Sequence, residues 1–204
     1  VEHLPAVVSL NAPDATQSTL YTSPKSEALF GYSPADYLAE PTLWMHTVHP
    51  DDLERVLEDL AQMNATGEAV PFEYRMVTRD GQVVWILEDS TLIRDDDGSP
   101  LYWQTVQLDV TALKQAEEWQ RQSEERFRTA FDHAAIGMAL VGLDGHFLQV
   151  NAALCELTGY EETELRTRTF QDITHPDDLE TDLAHVGHLL AGEIRAYEME
   201  KRYF

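Results

Sequence analysis

The hexapeptide His-Pro-Asp-Asp-Leu-Glu occurs twice, at His49 to Glu54 and at His175 to Glu180, an offset of 126 residues. It does not recur alone. Gly31-Tyr32 is matched by Gly159-Tyr160 at an offset of 128, Gly67-Glu68 by Gly192-Glu193 at 125, and Glu73-Tyr74-Arg75 by Glu200-Lys201-Arg202 at 127. Four markers in one order at nearly one spacing mean two copies of a single module. The repeat is too long for a solenoid and is therefore domain-sized.

The chain is expected to divide into a first domain at 1–111, a helical linker at 112–130 and a second domain at 131–204. Within the first copy, Ala6 to Leu10 and Ser18 to Thr22 read as short strands around the turn-prone Asn-Ala-Pro-Asp. Short helices are expected over Lys25 to Phe30, closed by Gly31, and over Ala35 to Ala39 behind Ser33. From Pro50 the spacing Leu53, Val56, Leu57, Leu60 gives one apolar helical face that ends near Gly67. Three strands follow, Phe72 to Thr78, Val83 to Ile93 and Tyr102 to Val110, with turns at Asp80-Gly81 and Asp97-Gly98. This order predicts an α+β unit: an antiparallel five-stranded sheet with helices on one face.

The second copy has no counterpart of the run after Arg75 and is expected to be incomplete, lacking its last two strands. The chain also begins with Val and shows no charged-then-apolar leader, so a segment of a longer protein is expected. Between the copies, Thr111 to Ala130 has neither Gly nor Pro and is rich in good helix formers. Leu113, Ala116, Gln120, Ser123, Phe127 and Ala130 step by three and four, the spacing of a weak coiled-coil seam. Such a helix serves either as a solvated connector or as a dimer helix.

The formal charge of -23 argues against nucleic acid, since phosphate backbones are repelled without a segregated basic patch. Apolar runs of only a few residues argue against membrane contact by this segment, and the single cysteine fits a reducing, cytoplasmic setting.

Candidate chemistry is sparse. In the repeated hexapeptide, Pro suits the first helical position and the two Asp suit the first turn, where carboxylates meet free N–H groups, so a helix start explains the motif without a metal. His185 and His188 lie on adjacent turns but gain no further ligands from the first copy, and no metal site is expected. Asp95-Asp96-Asp97-Gly98 lacks the spacing of a calcium loop. No catalytic constellation is found. Alternation places Phe72, Tyr74 and Met76 on one strand face, and Trp85 and Trp103 are grouped with them as candidate ligand-pocket residues.

The combination of Gly-Tyr-Ser-Pro at Gly31, Trp44 before His49-Pro50-Asp51-Asp52, Glu73-Tyr74-Arg75, Asp80-Gly81 with Trp85, and Asp109-Val110-Thr111 before Lys114 resembles the PAS, or sensory-box, domains of bacterial signalling proteins. The resemblance covers the first copy and about two-thirds of the second. It implies tandem PAS domains joined by a long helix: a non-catalytic sensory segment that senses a small ligand or partner and relays its state to an output domain, a two-component histidine kinase or a cyclic-dinucleotide cyclase or phosphodiesterase. It also implies that Asp109 and Thr111 couple the sheet to the output helix, and that a homodimer forms through that helix or the domain faces. Alternatives are a ligand-free dimerisation module and a haem- or flavin-bearing sensor. No cofactor is expected, because Cys155 lacks the motif of the flavin-binding relatives and the histidines do not reproduce a haem placement.

Overall fold

The computed structural model describes residues 6–204. By internal contacts the chain forms two compact units, the first ending at Trp119 and the second spanning Gln120–Phe204.

In the first unit, β1 (Ala6–Asn11) and β2 (Thr19–Thr22) precede four helices, α1 (Lys25–Phe30), α2 (Pro34–Ala39), α3 (Leu43–Thr47) and α4 (Pro50–Thr66). Strands β3 (Phe72–Val77), β4 (Val83–Arg94) and β5 (Pro100–Asp109) complete an antiparallel sheet in the order β2-β1-β5-β4-β3. The α+β architecture with a five-stranded sheet is therefore as expected. The first strand pairs with the last, so Ser9 faces Thr105 and Val7 faces Gln107 across the middle of the sheet.

Local chemistry sets the helix ends. Ser33 and Asp36 form a reciprocal capping box, with the Ser33 amide 2.7 Å from the Asp36 carboxylate. Gly31 ends α1 at φ 81°, and a Cβ there would lie 2.8 Å from Cβ of Arg79, so both conformation and space require glycine. Helix α3 was not anticipated. Its cap residue Thr42 makes no side-chain bond, and five residues are too few to display a period. It forms because Leu43 and Thr47 turn into the core.

Helix residues Phe30, Tyr37, Val56, Leu60 and Met63 pack on Tyr74, Met76, Ile86 and Trp103 of the sheet. Trp103 is 1% exposed, and its indole N–H donates to Oδ1 of Asn64 at 2.8 Å, tying β5 to α4.

Helix α5 spans Thr111–Asp132, two residues beyond the expected end. The second unit holds β6 (Ala139–Val141) paired with β7 (Phe147–Val150), then α6 (Ala152–Thr158), α7 (Glu162–Leu165), α8 (Phe170–Ile173) and α9 (Pro176–Leu190). Its core is Phe147, Val150, Leu154, Leu165 and Ile173. Asn151, 1% exposed, caps α6 and also donates to the carbonyls of Phe131 and Ile136, which fixes the end of α5 on this unit. The third strand expected around Glu200 to Arg202 is reduced to one bridge, Thr174 with Tyr203. The equivalent bridge of the first unit, Val48 with Met76, sits in a full strand because β4 pairs with β3 along its length. Without such a neighbour, one edge contact cannot hold an extended run.

Candidate functional site

Strand alternation turns Phe72, Tyr74 and Met76 of β3, Ile86, Glu88 and Ser90 of β4, and Trp103, Thr105 and Gln107 of β5 toward the helices. Several of these are polar, which is unusual for a core face and marks the site. A cavity of about 40 Å³ lies here, lined by side chains that include Ser9, Asn11, Gln17, Tyr37, Tyr74, Glu88, Thr105 and Gln107 together with apolar Phe30, Val56 and Met76.

One network occupies the sheet side of this cavity. The Tyr74 hydroxyl donates to Oε2 of Glu88 at 2.6 Å, and Nε2 of Gln107 donates to the Tyr74 oxygen at 2.8 Å and to Glu88 at 3.0 Å. Ser90 and Thr105 exchange a 2.9 Å bond beside them. Burial pushes the Glu88 carboxyl above its usual range, against the opposing effect of its three donors. Burial, with the adjacent Glu88, pushes the Tyr74 hydroxyl well up. In both groups burial disfavours the charged form.

The domain exit lies two residues along the same strands. Asp109 follows Gln107 on β5, and its Oδ1 accepts from the Thr111 amide at 2.8 Å. The Thr111 hydroxyl accepts from the Trp85 amide at 2.8 Å, while the Val110 amide donates to the Trp85 carbonyl at 2.9 Å. Lys114 adds a 2.6 Å ion pair to Glu73. The first turn of α5 is thus fastened to β3 and β4.

The repeated hexapeptide proves to be more than a helix start. His49 caps α4 through Nδ1, as the capping logic allows, and its amide donates to the carbonyl of Arg75. Asp52 accepts from the Arg75 amide at 2.9 Å, from Nε at 3.0 Å and from Nη2 at 2.6 Å. Arg55 covers the Glu73 carbonyl at 2.8 Å. Together these seal the open edge of β3, whose groups would otherwise recruit another strand. The second unit repeats the clamp with Asp178 on Arg202 and the His175 amide on the Arg202 carbonyl. The signal was present in the repeat of Arg75 and Arg202, but pairing helix start with strand arginine needs the fold.

Of the five proposed pocket residues, Tyr74 and Met76 line the cavity. Phe72 stacks on Tyr74, with centroids 5.4 Å apart, at the margin of the core, and Trp103 lies in the packed core beside Asn64. Trp85 has the opposite strand parity. It stands with Arg75 at 5.7 Å and Lys114 at 5.8 Å from its ring, so it belongs to the exit rather than the cavity. Glu88, Gln107, Gln17 and Tyr37 were not singled out from sequence, although alternation from Trp103 to Gln107 would have found the second.

The lining of the first unit's cavity holds no His or Cys, so it supplies neither an imidazole for a haem iron nor a thiol for a flavin adduct. Cys155 lies against the second core, and burial raises its thiol. His185 stacks on Tyr197 and His188 bonds Glu193. Among the described residues no cluster of three metal-ligating side chains occurs, and no helix is long and apolar enough to cross a membrane.

A family profile described as PAS fold matches residues 19–107, and a second, described as PAS domain, matches 125–190. The probable diguanylate cyclase DgcE of Escherichia coli (strain K12) is 54% identical over 83 residues, which is 41% of this chain and 8% of that protein. The sensor protein FixL of Bradyrhizobium diazoefficiens (strain JCM 10833 / BCRC 13528 / IAM 13628 / NBRC 14792 / USDA 110) is 29% identical over 131 residues, 63% of this chain and 26% of that protein. A crystal structure of a sensory box histidine kinase/response regulator from Burkholderia thailandensis E264 matches with a TM-score of 0.51 and 29% identity, covering 63% of this chain and 95% of that one. The chain spans only a small part of the curated relatives it matches, 8% of one and 26% of another.

Proposed function

The chain belongs to the PAS family in both of its repeats and serves sensory signalling; from that premise we propose that its first unit senses a small molecule in the polar cavity and passes its state through Asp109 and Thr111 into α5. The observation that carries this reading is adjacency along two strands. Gln107 and Glu88 belong to the cavity network, and Asp109 and Trp85, two and three residues away, hold the first turn of the helix. A shift of the network changes the strand positions that fasten α5. That gives the two states a difference in bonding, which any relay requires.

The far end of α5 is held in the second unit by Asn151. In this reading the segment is itself non-catalytic and cytoplasmic, and the full-length protein carries an output domain of the cyclic-dinucleotide or histidine-kinase type. The names of the relatives support that pairing.

Exposed apolar side chains on α5 favour a second element. Leu113, Trp119 and Phe127 are 55%, 70% and 45% exposed, and α5 serves as a homodimer helix through them. The ligand-free dimerisation module keeps this helix and dispenses with the cavity.

In the full-length protein, Asp109→Ala and Thr111→Val each shift output activity by about fivefold or more, the lower end of ordinary coupling energies. The measurement is the output reaction rate with circular dichroism as a check on folding. Unchanged output in both variants, with the fold intact, removes the relay.

A further inference from the structure

The β1–β2 loop places a strained residue against the cavity. Gln17 has φ 45°, and among the described residues it is the one non-glycine with positive φ. Such a backbone persists only where its surroundings hold it. Asp14 does so by accepting from the amides of Thr16 and Ser18 at 2.9 and 3.2 Å, while Asn64 and the Trp44 indole bond the carbonyls of Asp14 and Thr16. The consequence is a Gln17 side chain turned inward, 3% exposed.

Its amide nitrogen has no hydrogen-bond partner, and neither has the hydroxyl of Tyr37, a residue 5% exposed. Both residues line the cavity. Two buried donors left unpaired are costly, and native proteins rarely leave them so. The rest of the lining limits what can accept from them. No Lys, Arg or His borders the cavity, so an anion would be buried without a countercharge. The one acid, Glu88, is already bonded by Tyr74, Gln107 and Ser90. A volume of about 40 Å³ holds roughly three to four water-sized groups.

We propose that the first unit's cavity takes a small uncharged carbonyl or amide compound of about four non-hydrogen atoms, whose oxygen accepts from Nε2 of Gln17 and the hydroxyl of Tyr37. This rests on the reading of the cavity as a ligand site. Strain at Gln17 presents the donor, and the absence of a cation in the lining selects against carboxylates of the same shape.

The test uses three probes on the 204-residue chain, followed by ¹H–¹⁵N spectra: acetamide, its isosteric anion acetate at pH 7, and xenon. Acetamide is expected to shift the Gln17 side-chain resonances saturably, with Kd of roughly 1 mM for a ligand this small. Acetate is expected to bind at least tenfold more weakly. Gln17→Met and Tyr37→Phe, both conservative in size, each weaken acetamide about fivefold or more while leaving the remaining spectrum in place. Acetate or xenon binding as tightly as acetamide overturns the ligand class but keeps the site. Binding of none of the three overturns the class and the ligand-site reading together, the cavity then holding water alone. Acetamide binding unaffected by either variant overturns the assignment to Gln17 and Tyr37.

Discussion

Trp103→Ala is expected to cost the first unit about 4 kcal/mol, a large share of the roughly 5–15 kcal/mol that holds an ordinary domain folded. The indole is 1% exposed in the packed layer between β5 and α4, so truncation leaves a large void that its neighbours can only partly close. It also strands Oδ1 of Asn64, which loses its 2.8 Å donor. Trp103→Phe keeps most of the volume and loses the N–H bond, and a smaller cost of about 1–2 kcal/mol follows. Urea midpoints of the two variants measure both figures. The pair of values separates a core tie from a ligand contact, because a residue needed only for binding would leave the unliganded midpoint where it was.

Asp52→Ala is expected to cost about 2–3 kcal/mol by the same measurement, since it removes three bonds to Arg75, two of them between charged groups. The change also frees the amide of Arg75 on the edge of β3, so faster aggregation accompanies it. The bonds from the Arg75 side chain hold the Asp52 carboxyl down at about 2, against an ordinary value of 3.8. A depressed acid contributes its stability above the unfolded value and loses it as pH falls through the folded one. The stability gap between the protein and Asp52→Asn is therefore full above about pH 4 and closes toward pH 2. A gap that stayed constant across that window would show that the clamp is not ionic.

Much of the fold was legible because its signals are local. Ser33 before Pro34, Gly31 and Gly67 after their helices, and the Asp-Gly turns each act within four residues of themselves, and the boundaries they predicted lie within a residue or two of those observed. Helix α3 was missed because nothing local caps it. The clamp was missed for a different reason. Asp52 and Arg75 are 23 positions apart, and only the approach of the start of α4 to the edge of β3 joins them. The cavity is half legible: strand parity places Tyr74 and Met76 on its lining, and the same parity turns Trp85 to the opposite face beside Arg75. Gln17 carries no sequence signal. Its inward side chain depends on a left-handed backbone imposed by Asp14.

The central claim is that the cavity network and the fastening of α5 move together. Amide hydrogen exchange in Gln107→Leu tests it most directly, because that change cuts the bonds to Tyr74 and Glu88 without touching Asp109 or Thr111. Exchange at the amides of Trp85, Val110 and Thr111, the three that fasten the helix, is predicted to accelerate about tenfold or more. Unchanged exchange at all three, with altered exchange around Tyr74 and Glu88, would contradict the claim.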